Sequence, residues 1–338
     1  MIQNQWNVAC ASVQLKNEPF STQLGETKIV LFRDQNQKAC ALLDRCCHRG
    51  FPLSKGRMEN GKIACGYHGW QFEGSGQCAV IPSQTSDKPI PKSHCVKSFP
   101  ISEQDGFVWV WIGEKTPTMV PSIPEFSQGK WIQGSREIRC NYLRALEITF
   151  DAPHLYFVHP THPATIAAKK YGFAEGSSEI RGTEDGCILF SPITESENDP
   201  IPEGVFLKMK FELPGTIRFE FPIGPVAKAH MFFFTVPVGK NSCQMSWLLT
   251  NFDPTVTEHV KWVAEGKEII GEDQDVLEAI QKTYDLEDES FEKNVEADIP
   301  TLTVRKVVRA AEAGEWDGKN FPFPRRRIVK MVGAAGSL

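Results

Sequence analysis

No segment of this 338-residue chain comes near the run of about 20 apolar residues that a bilayer-crossing helix requires. AHMFFFTVPVG, at 229–239, is too short and reads as a strand. The opening MIQNQWNVACAS is polar and holds no apolar core of a secretory leader, so the expectation is a cytoplasmic chain without a membrane span. Strong charge of one sign is also missing. The 37 basic residues stand against 42 acidic ones, for a formal net charge of −5, and no domain is strongly basic, which argues against nucleic acid as a partner. The one basic run, Arg325–Arg327, is short and reads as a solvated tail rather than a docking patch for an acidic redox partner. Clustered cysteine is absent as well. The ten cysteines are scattered over the whole length, unlike those of a small disulfide scaffold, so they read as thiols with metal ligands among them.

What is present is an ordinary globular composition in a chain long enough for two cores. The first part looks all-β. KIVLFR and ACALLD flank the polar turn DQNQ, WQFEG and CAVIPS flank Gly74–Ser75–Gly76, and GFVWVWIGE alternates with Trp109 and Trp111 on one face. The proline-punctuated EKTPTMVPSIPEFSQGK suits a crossing between domains, giving boundaries of 1–115, a linker at 116–130 and 131–338. Further on, GCILFSPI, VFLKMKFEL, TIRFEFPI, AHMFFFTVPV and CQMSWLLTNF read as strands of an antiparallel sheet. TEHVKWVAEGKEIIGEDQDVLEAIQKTYDL is helical in pattern, with Gly266 and Gly271 predicting interruption. PTLTVRKVVRAAEAG reads as a final helix ending near Gly314. The class is α+β.

Two short stretches carry soft and imidazole ligands together: DRCCHRG at 44–50 and CGYHGW at 65–70. Cys46-x-His48, sixteen intervening residues and Cys65-x-x-His68 can bring four ligands to the tips of two loops. A Cys2His2 zinc site is chemically reasonable for such a set. So is a 2Fe–2S cluster in which two histidines replace two thiolates, reducing the negative charge around the metal and raising its potential.

A second constellation, EITFDAPHLYFVHP at 147–160, supplies Asp151, His154 and His159. Two histidines and a remote carboxylate make the facial triad of non-haem Fe(II). Positions five apart on an α-helix differ by about 140° in direction, so His154 and His159 cannot share a helix face. Pro153 and Pro160 bracket them, and the segment must bend, widen or end between the two. An ordinary core helix is the competing reading, and His162 is an alternative to His159. Phe150, Tyr156 and Phe157 line a substrate pocket or simply pack in the core.

Together these stretches resemble the Rieske oxygenases, whose loops usually read CPHRG and CxYHGW. The respiratory Rieske type is disfavoured, because Phe51 and Tyr67 stand where it carries disulfide cysteines. Cys47 departs from the usual proline, and Glu147 and Ile148 stand where many members have an asparagine. The resemblance implies an N-terminal all-β Rieske domain, then a helix-grip catalytic domain around a central antiparallel sheet. It implies that Cys46, His48, Cys65 and His68 hold the 2Fe–2S cluster and that His154 and His159 hold mononuclear Fe(II). The third ligand comes from a late E-D-x4-E pattern, matched by GEDQDVLEAIQK at 271–282, with Asp273 preferred and Asp275 as the alternative. Asp151 is then not a ligand but a hydrogen-bonded bridge from His154 to His68 of a neighbouring subunit in a homotrimer; a helix N-cap is its competing role.

No flavin or nicotinamide signature and no four-cysteine ferredoxin spacing is present, so electrons must come from a separate NAD(P)H-dependent reductase, directly or through a ferredoxin. The close of the chain resembles the compact vanillate O-demethylase and pheophorbide-type oxygenases. The resemblance therefore implies monooxygenation or oxidative demethylation of a small organic substrate with O2. Aromatic cis-dihydroxylation is the alternative reaction, and an electron carrier holding only the cluster is the non-enzymatic one.

Overall fold

The computed structural model describes residues 1–85, 87–128, 131–161, 165, 176–191, 207–222, 228–250, 259–283 and 289–331. The chain divides into two compact units, Gln3–Ile123 and Pro124–Leu338, with Met1–Ile2 belonging to the second. The division lies inside the proline-punctuated stretch, and Pro124–Gln128 forms a short 3-10 turn of the second unit.

The first unit is entirely β apart from single 3-10 turns. Its strands are β1 (Gln5–Ala11), β2 (Phe20–Leu24), β3 (Thr27–Arg33), β4 (Ala39–Leu43), β5 (Arg57–Glu59), β6 (Lys62–Ala64), β7 (Gln71–Phe72), β8 (Cys78–Val80), β9 (Ile101–Gln104) and β10 (Phe107–Ile112). They form antiparallel sheets in the orders β1-β10-β9, β2-β3-β4 and β5-β6-β7-β8. The DQNQ turn joins β3 to β4 because Asp34 Oδ1 accepts the N–H groups of Asn36 and Lys38 at 2.8 and 2.9 Å. In β10 the residues on both faces are buried, so the alternation of tryptophan and valine does not mark a wet side. Trp6 meets Trp111 edge to face at 5.6 Å. A core of Val30, Phe32, Leu42, Leu53, Ile63 and Phe72 is fully buried, and Cys46 and Cys65 are part of it.

The second unit is built on one eight-stranded antiparallel sheet. Its strands are β11 (Trp131–Ile138), β12 (Gly176–Thr183), β13 (Gly186–Ser191), β14 (Leu207–Glu212), β15 (Thr216–Pro222), β16 (Lys228–Gly239), β17 (Ser242–Thr250) and β18 (Arg326–Met331), in the order β11-β17-β16-β15-β14-β13-β12-β18. Among the described residues it carries α1 (Tyr142–Thr149), the single turn α2 (Leu155–Val158), α3 (His259–Thr283) and α4 (Ile299–Glu312). Leu146 of α1 and Val304, Val307 and Val308 of α4 pack with Phe211 and Ile217 of the sheet in one core, each with no exposed surface.

Two expectations are corrected here. Arg325–Arg327 does not form a solvated tail. Arg326 and Arg327 begin β18, which pairs with β12, and Arg326 Nη2 donates to Glu179 at 3.0 Å beside Arg181, which pairs with the same carboxylate. Glu179 is 3% exposed, and the two cations offset its burial. Nor do the glycines interrupt α3, which is continuous over 25 residues. A single glycine costs a helix only about 1 kcal/mol. A Cβ at Gly271 would meet only Arg136 Nη1 of β11, at 3.2 Å, a contact that a small shift of that side chain relieves.

Candidate metal centres

The two Cys/His loops close in the same way. The Cys46 N–H donates to the Phe51 carbonyl at 2.9 Å and Gly50 N–H returns to the Cys46 carbonyl at 2.9 Å. The Cys65 N–H donates to the Trp70 carbonyl at 2.8 Å and Gly69 N–H returns to the Cys65 carbonyl at 2.9 Å. The returning glycine stands four residues after each cysteine, with φ of +74° at Gly50 and +71° at Gly69. That left-handed conformation is what the glycines supply. The thiols of Cys46 and Cys65 interact beneath the loops, and the His48 and His68 rings lie 4.7 Å apart, centroid to centroid. Trp70 backs His48 in a parallel stack at 4.5 Å. Four sequence-predicted residues are thereby brought together.

Burial, and then the neighbouring Cys65, push the Cys46 thiol up to about 12, so the metal-free loop holds a protonated thiol and loading a metal releases protons. Burial followed by the nearby His68 holds His48 below its ordinary value, in the neutral form that coordinates metal. His48 Nδ1 is buried with no hydrogen-bond partner. A nitrogen so placed is costly unless something binds it, and with two soft sulfurs alongside the donor set fits a Rieske cluster.

In the second unit, α1 begins with Asn141, whose side chain accepts the Leu143 N–H at 2.9 Å, and it ends at Thr149. The chain then runs through Asp151 and Pro153 into α2, with His154 just before that turn and His159 just after it. The expected distortion is therefore a break between two helices. His159 leaves helical geometry (φ −121°, ψ 50°), and this is how two histidines five apart come to face each other, with ring centroids 5.2 Å apart.

The remote carboxylate arrives on α3. Ile270, Asp273 and Leu277 are buried at spacings of three and four, so Asp273 lies in the helix's apolar stripe and points where a leucine would. Gln274, Glu278 and Gln281 hold the helix in register by accepting from the Arg136 side chain and from the Arg139 and Asn141 N–H groups, at 3.2, 3.2 and 2.8 Å. Asp273 Oδ1 stands 2.9 Å from His159 Nε2 and 3.5 Å from His154 Nε2. The donor atoms of His154, His159 and Asp273 all lie within 4.8 Å of one another, the only such three-residue group among the described residues. Asp275 is exposed and outside it. The Asp151 carbonyl accepts from His154 Nδ1 at 2.6 Å, while its carboxylate, 30% exposed, lies 3.6 Å from the same nitrogen.

Burial opposes charge on both rings, but hydrogen bonds outweigh it. Asp151 and Asp273 raise His154 to about 9, and Asp273 with Glu272 raises His159. Burial likewise opposes charge on Asp273, yet the two histidines hold it below the usual carboxylate range. A carboxylate and two imidazoles converging in a nearly dry site have the composition and the sharing of one central oxygen that suit a single divalent iron.

Some residues behave differently from the sequence reading. Phe150 and Tyr156 are buried in the core, whereas Phe157 is 69% exposed and does not pack there. His162 lies outside the described residues. Glu272 was unassigned by sequence, and its Oε2 stands 2.6 Å from His159 Nδ1. Its signal in the sequence was its place as the first residue of the E-D-x4-E pattern, which carried no role for it.

Residues 5–100 match the profile of the Rieske (2Fe-2S) domain, and residues 138–314 that of the vanillate O-demethylase oxygenase C-terminal domain. The chain belongs to the Rieske non-haem iron oxygenases. It is 26% identical over 310 residues to the vanillate O-demethylase oxygenase subunit of a Pseudomonas species, spanning 82% of this chain and 86% of that one. Over 153 residues it is 39% identical to the chloroplastic protein TIC 55 of Pisum sativum, a match that spans 43% of this chain and only 28% of that protein. Dicamba monooxygenase bound to dicamba shares the fold, with a TM-score of 0.78 at 22% identity over 93% of this chain and 98% of that one. As a Rieske oxygenase the protein carries a 2Fe–2S cluster and a mononuclear iron. Oxygenase components of this kind work with a separate electron-delivering reductase or ferredoxin, O2 and a small organic substrate. No helix among the described residues is long and apolar enough to cross a membrane.

Proposed function

We propose that this chain is the terminal oxygenase component of a multicomponent monooxygenase that hydroxylates or oxidatively demethylates an aromatic or cyclic substrate. The convergence of His154, His159 and Asp273 within 4.8 Å is the observation that carries the reading, because an electron carrier has no use for it. When bound, the cluster supplies single electrons and the ferrous ion activates O2. The chain's own residues do the rest. Cys46, His48, Cys65 and His68 hold the cluster. His154, His159 and Asp273 would hold the iron. Asp151 stands at His154 and bridges to His68 of a neighbouring subunit in a homotrimer. The electrons come from NAD(P)H through a separate reductase.

Relatives named vanillate O-demethylase oxygenase subunit, dicamba O-demethylase oxygenase component and toluene-4-sulfonate monooxygenase iron-sulfur subunit favour aromatic substrates and one-oxygen insertion. Demethylation of an aryl methyl ether by one O2, one NADH and one proton yields phenol, formaldehyde, water and NAD+. The test is a panel of aromatic ethers, N-methyl compounds and sterols assayed for substrate-dependent O2 uptake with a surrogate reductase. Formaldehyde equimolar with the O2 consumed supports demethylation. A cis-diol carrying both oxygen atoms points to dihydroxylation, and cluster reduction without substrate-dependent uptake by any compound points to an electron carrier.

A further inference from the structure

His159 is gripped from both sides by consecutive residues of one helix. Its Nε2 meets Asp273 at 2.9 Å and its Nδ1 meets Glu272 at 2.6 Å, while the imidazole itself has no exposed side-chain surface. Water therefore does not serve either nitrogen, and the protein alone decides which one presents a lone pair. We propose that Glu272 is a positioning residue for the iron site, its carboxylate accepting the Nδ1–H of His159 so that Nε2 is left to bind metal beside Asp273. The inference rests on the reading of His159 as an iron ligand.

Three features carry it. Glu272 is 41% exposed, so packing gives no reason for its carboxylate to reach inward to a fully buried ring. The contact is direct, at 2.6 Å, and its acceptor is an anion. The other imidazole is held differently, because His154 Nδ1 donates to the backbone carbonyl of Asp151 at 2.6 Å. One ligand thus has a backbone carbonyl at hydrogen-bond distance with a carboxylate farther off at 3.6 Å, and the other has a carboxylate in direct contact. A carboxylate behind an imidazole fixes its tautomer and its rotation and makes the opposite nitrogen a better donor. Two adjacent acidic side chains on α3 therefore have separate tasks, one at the metal and one behind its ligand.

The test is Fe(II) affinity, read by competition with a chromogenic chelator on protein that carries the Rieske cluster but lacks mononuclear iron. Glu272→Met keeps the length and loses the acceptor; Glu272→Gln keeps an acceptor oxygen and loses the charge. We expect Met to weaken Fe(II) binding by about 10- to 100-fold, and Gln to recover most of that loss. With Co(II) in place of iron, the ligand-field bands should shift in the Met variant and return toward the parent in the Gln variant. The cluster absorbance, in the other unit, reports that the protein is loaded. If Met disturbs the fold by circular dichroism, Glu272→Ala removes the acceptor with a smaller side chain and is read the same way. Parent affinity in the variant without an acceptor overturns the proposal, as does a Gln variant no tighter than Met. His159→Ala separates the two levels. If it loses the metal while Glu272→Met does not, only the role of Glu272 falls; if it binds at parent affinity, the iron-site reading falls too.

Discussion

Arg305 of α4 donates through Nε to Glu147 Oε1 of α1 at 2.5 Å, and each side chain is 8% exposed. Glu292 accepts from Arg305 Nη1 and Nη2 at 2.7 and 3.1 Å and from Arg144 at 2.7 Å, and Arg144 also reaches Glu147 at 3.3 Å. This buried set ties α1, whose C-terminal end leads into Asp151 and His154, to α4. It also shows what Glu147 does: its carboxylate is committed to two arginines. Removing Arg305 leaves Glu147 and Glu292 with much of their neutralising charge gone in a dry setting. Breaking a buried pair in this way costs about 3–5 kcal/mol. Arg305→Met should therefore lower the melting temperature of the second unit by roughly 6–20 °C. The double variant Arg305→Met, Glu147→Met should recover a large part of the loss. A double variant as unstable as the single one would show that the uncompensated carboxylate is not the cause.

The choice between two aspartates on α3 has a direct test. Asp273 is 8% exposed and shared between two imidazoles, whereas Asp275 faces solvent. Asp273→Ala should lose mononuclear iron and product formation, with the visible Rieske spectrum unchanged because the cluster ligands lie in the other unit. Asp275→Ala should keep the full iron content, since a surface substitution of this kind changes stability by about 0.5 kcal/mol or less. Iron per chain, measured before and after chelation, distinguishes the two.

Much of this architecture was legible because each motif had a local reason. The paired loops announce themselves through cysteine, histidine and glycine at close spacing, and the structure shows Gly50 and Gly69 in the same left-handed role. The strands β13 to β17 read directly from apolar runs. What stayed hidden depended on distant partners. β18 begins with arginines and reads as a tail, because nothing local reveals that Glu179 of β12 is buried opposite. Gly271 reads as a break in α3, yet the helix runs through it. Glu272 and Glu147 are ordinary acidic helix residues until His159 and Arg305 are placed beside them. Sequence periodicity reports which face of an element is apolar; it does not report which charge waits across the gap.

Asp151 stands at His154 through its carbonyl, with the carboxylate 30% exposed and 3.6 Å from Nδ1. This half-buried carboxylate is the group that the proposed bridge uses. Asp151→Asn should keep both the cluster and the iron and retain substrate binding, yet slow transfer from the reduced cluster to the iron site by more than about 100-fold. That loss corresponds to about 2.7 kcal/mol in the transfer barrier. A single-turnover experiment with pre-reduced cluster isolates the step, and an undiminished rate would remove the bridge.

The last expectation concerns pH and the second unit without mononuclear iron. Burial works against charge on His154, yet Asp151 and Asp273 raise it in the folded protein to about 9 from an ordinary value of 6.5. A group whose folded value is raised stabilises the fold fully below its unfolded value and stops doing so as pH rises through the folded one. Stability should therefore decline between about pH 6.5 and pH 9, by on the order of 3 kcal/mol in all. Urea midpoints of the iron-free protein at pH 6 and pH 9.5, followed by far-UV circular dichroism, give the measurement. His154→Asn should reduce the decline, because only the share of His159, which Asp273 and Glu272 also raise, is then left. Fe(II) should flatten it too, because a ligating imidazole is already neutral and the metal replaces the proton between His154 and Asp273. A decline of equal size in the Asn variant would assign it to other groups and leave His154 uncharged in the iron-free fold.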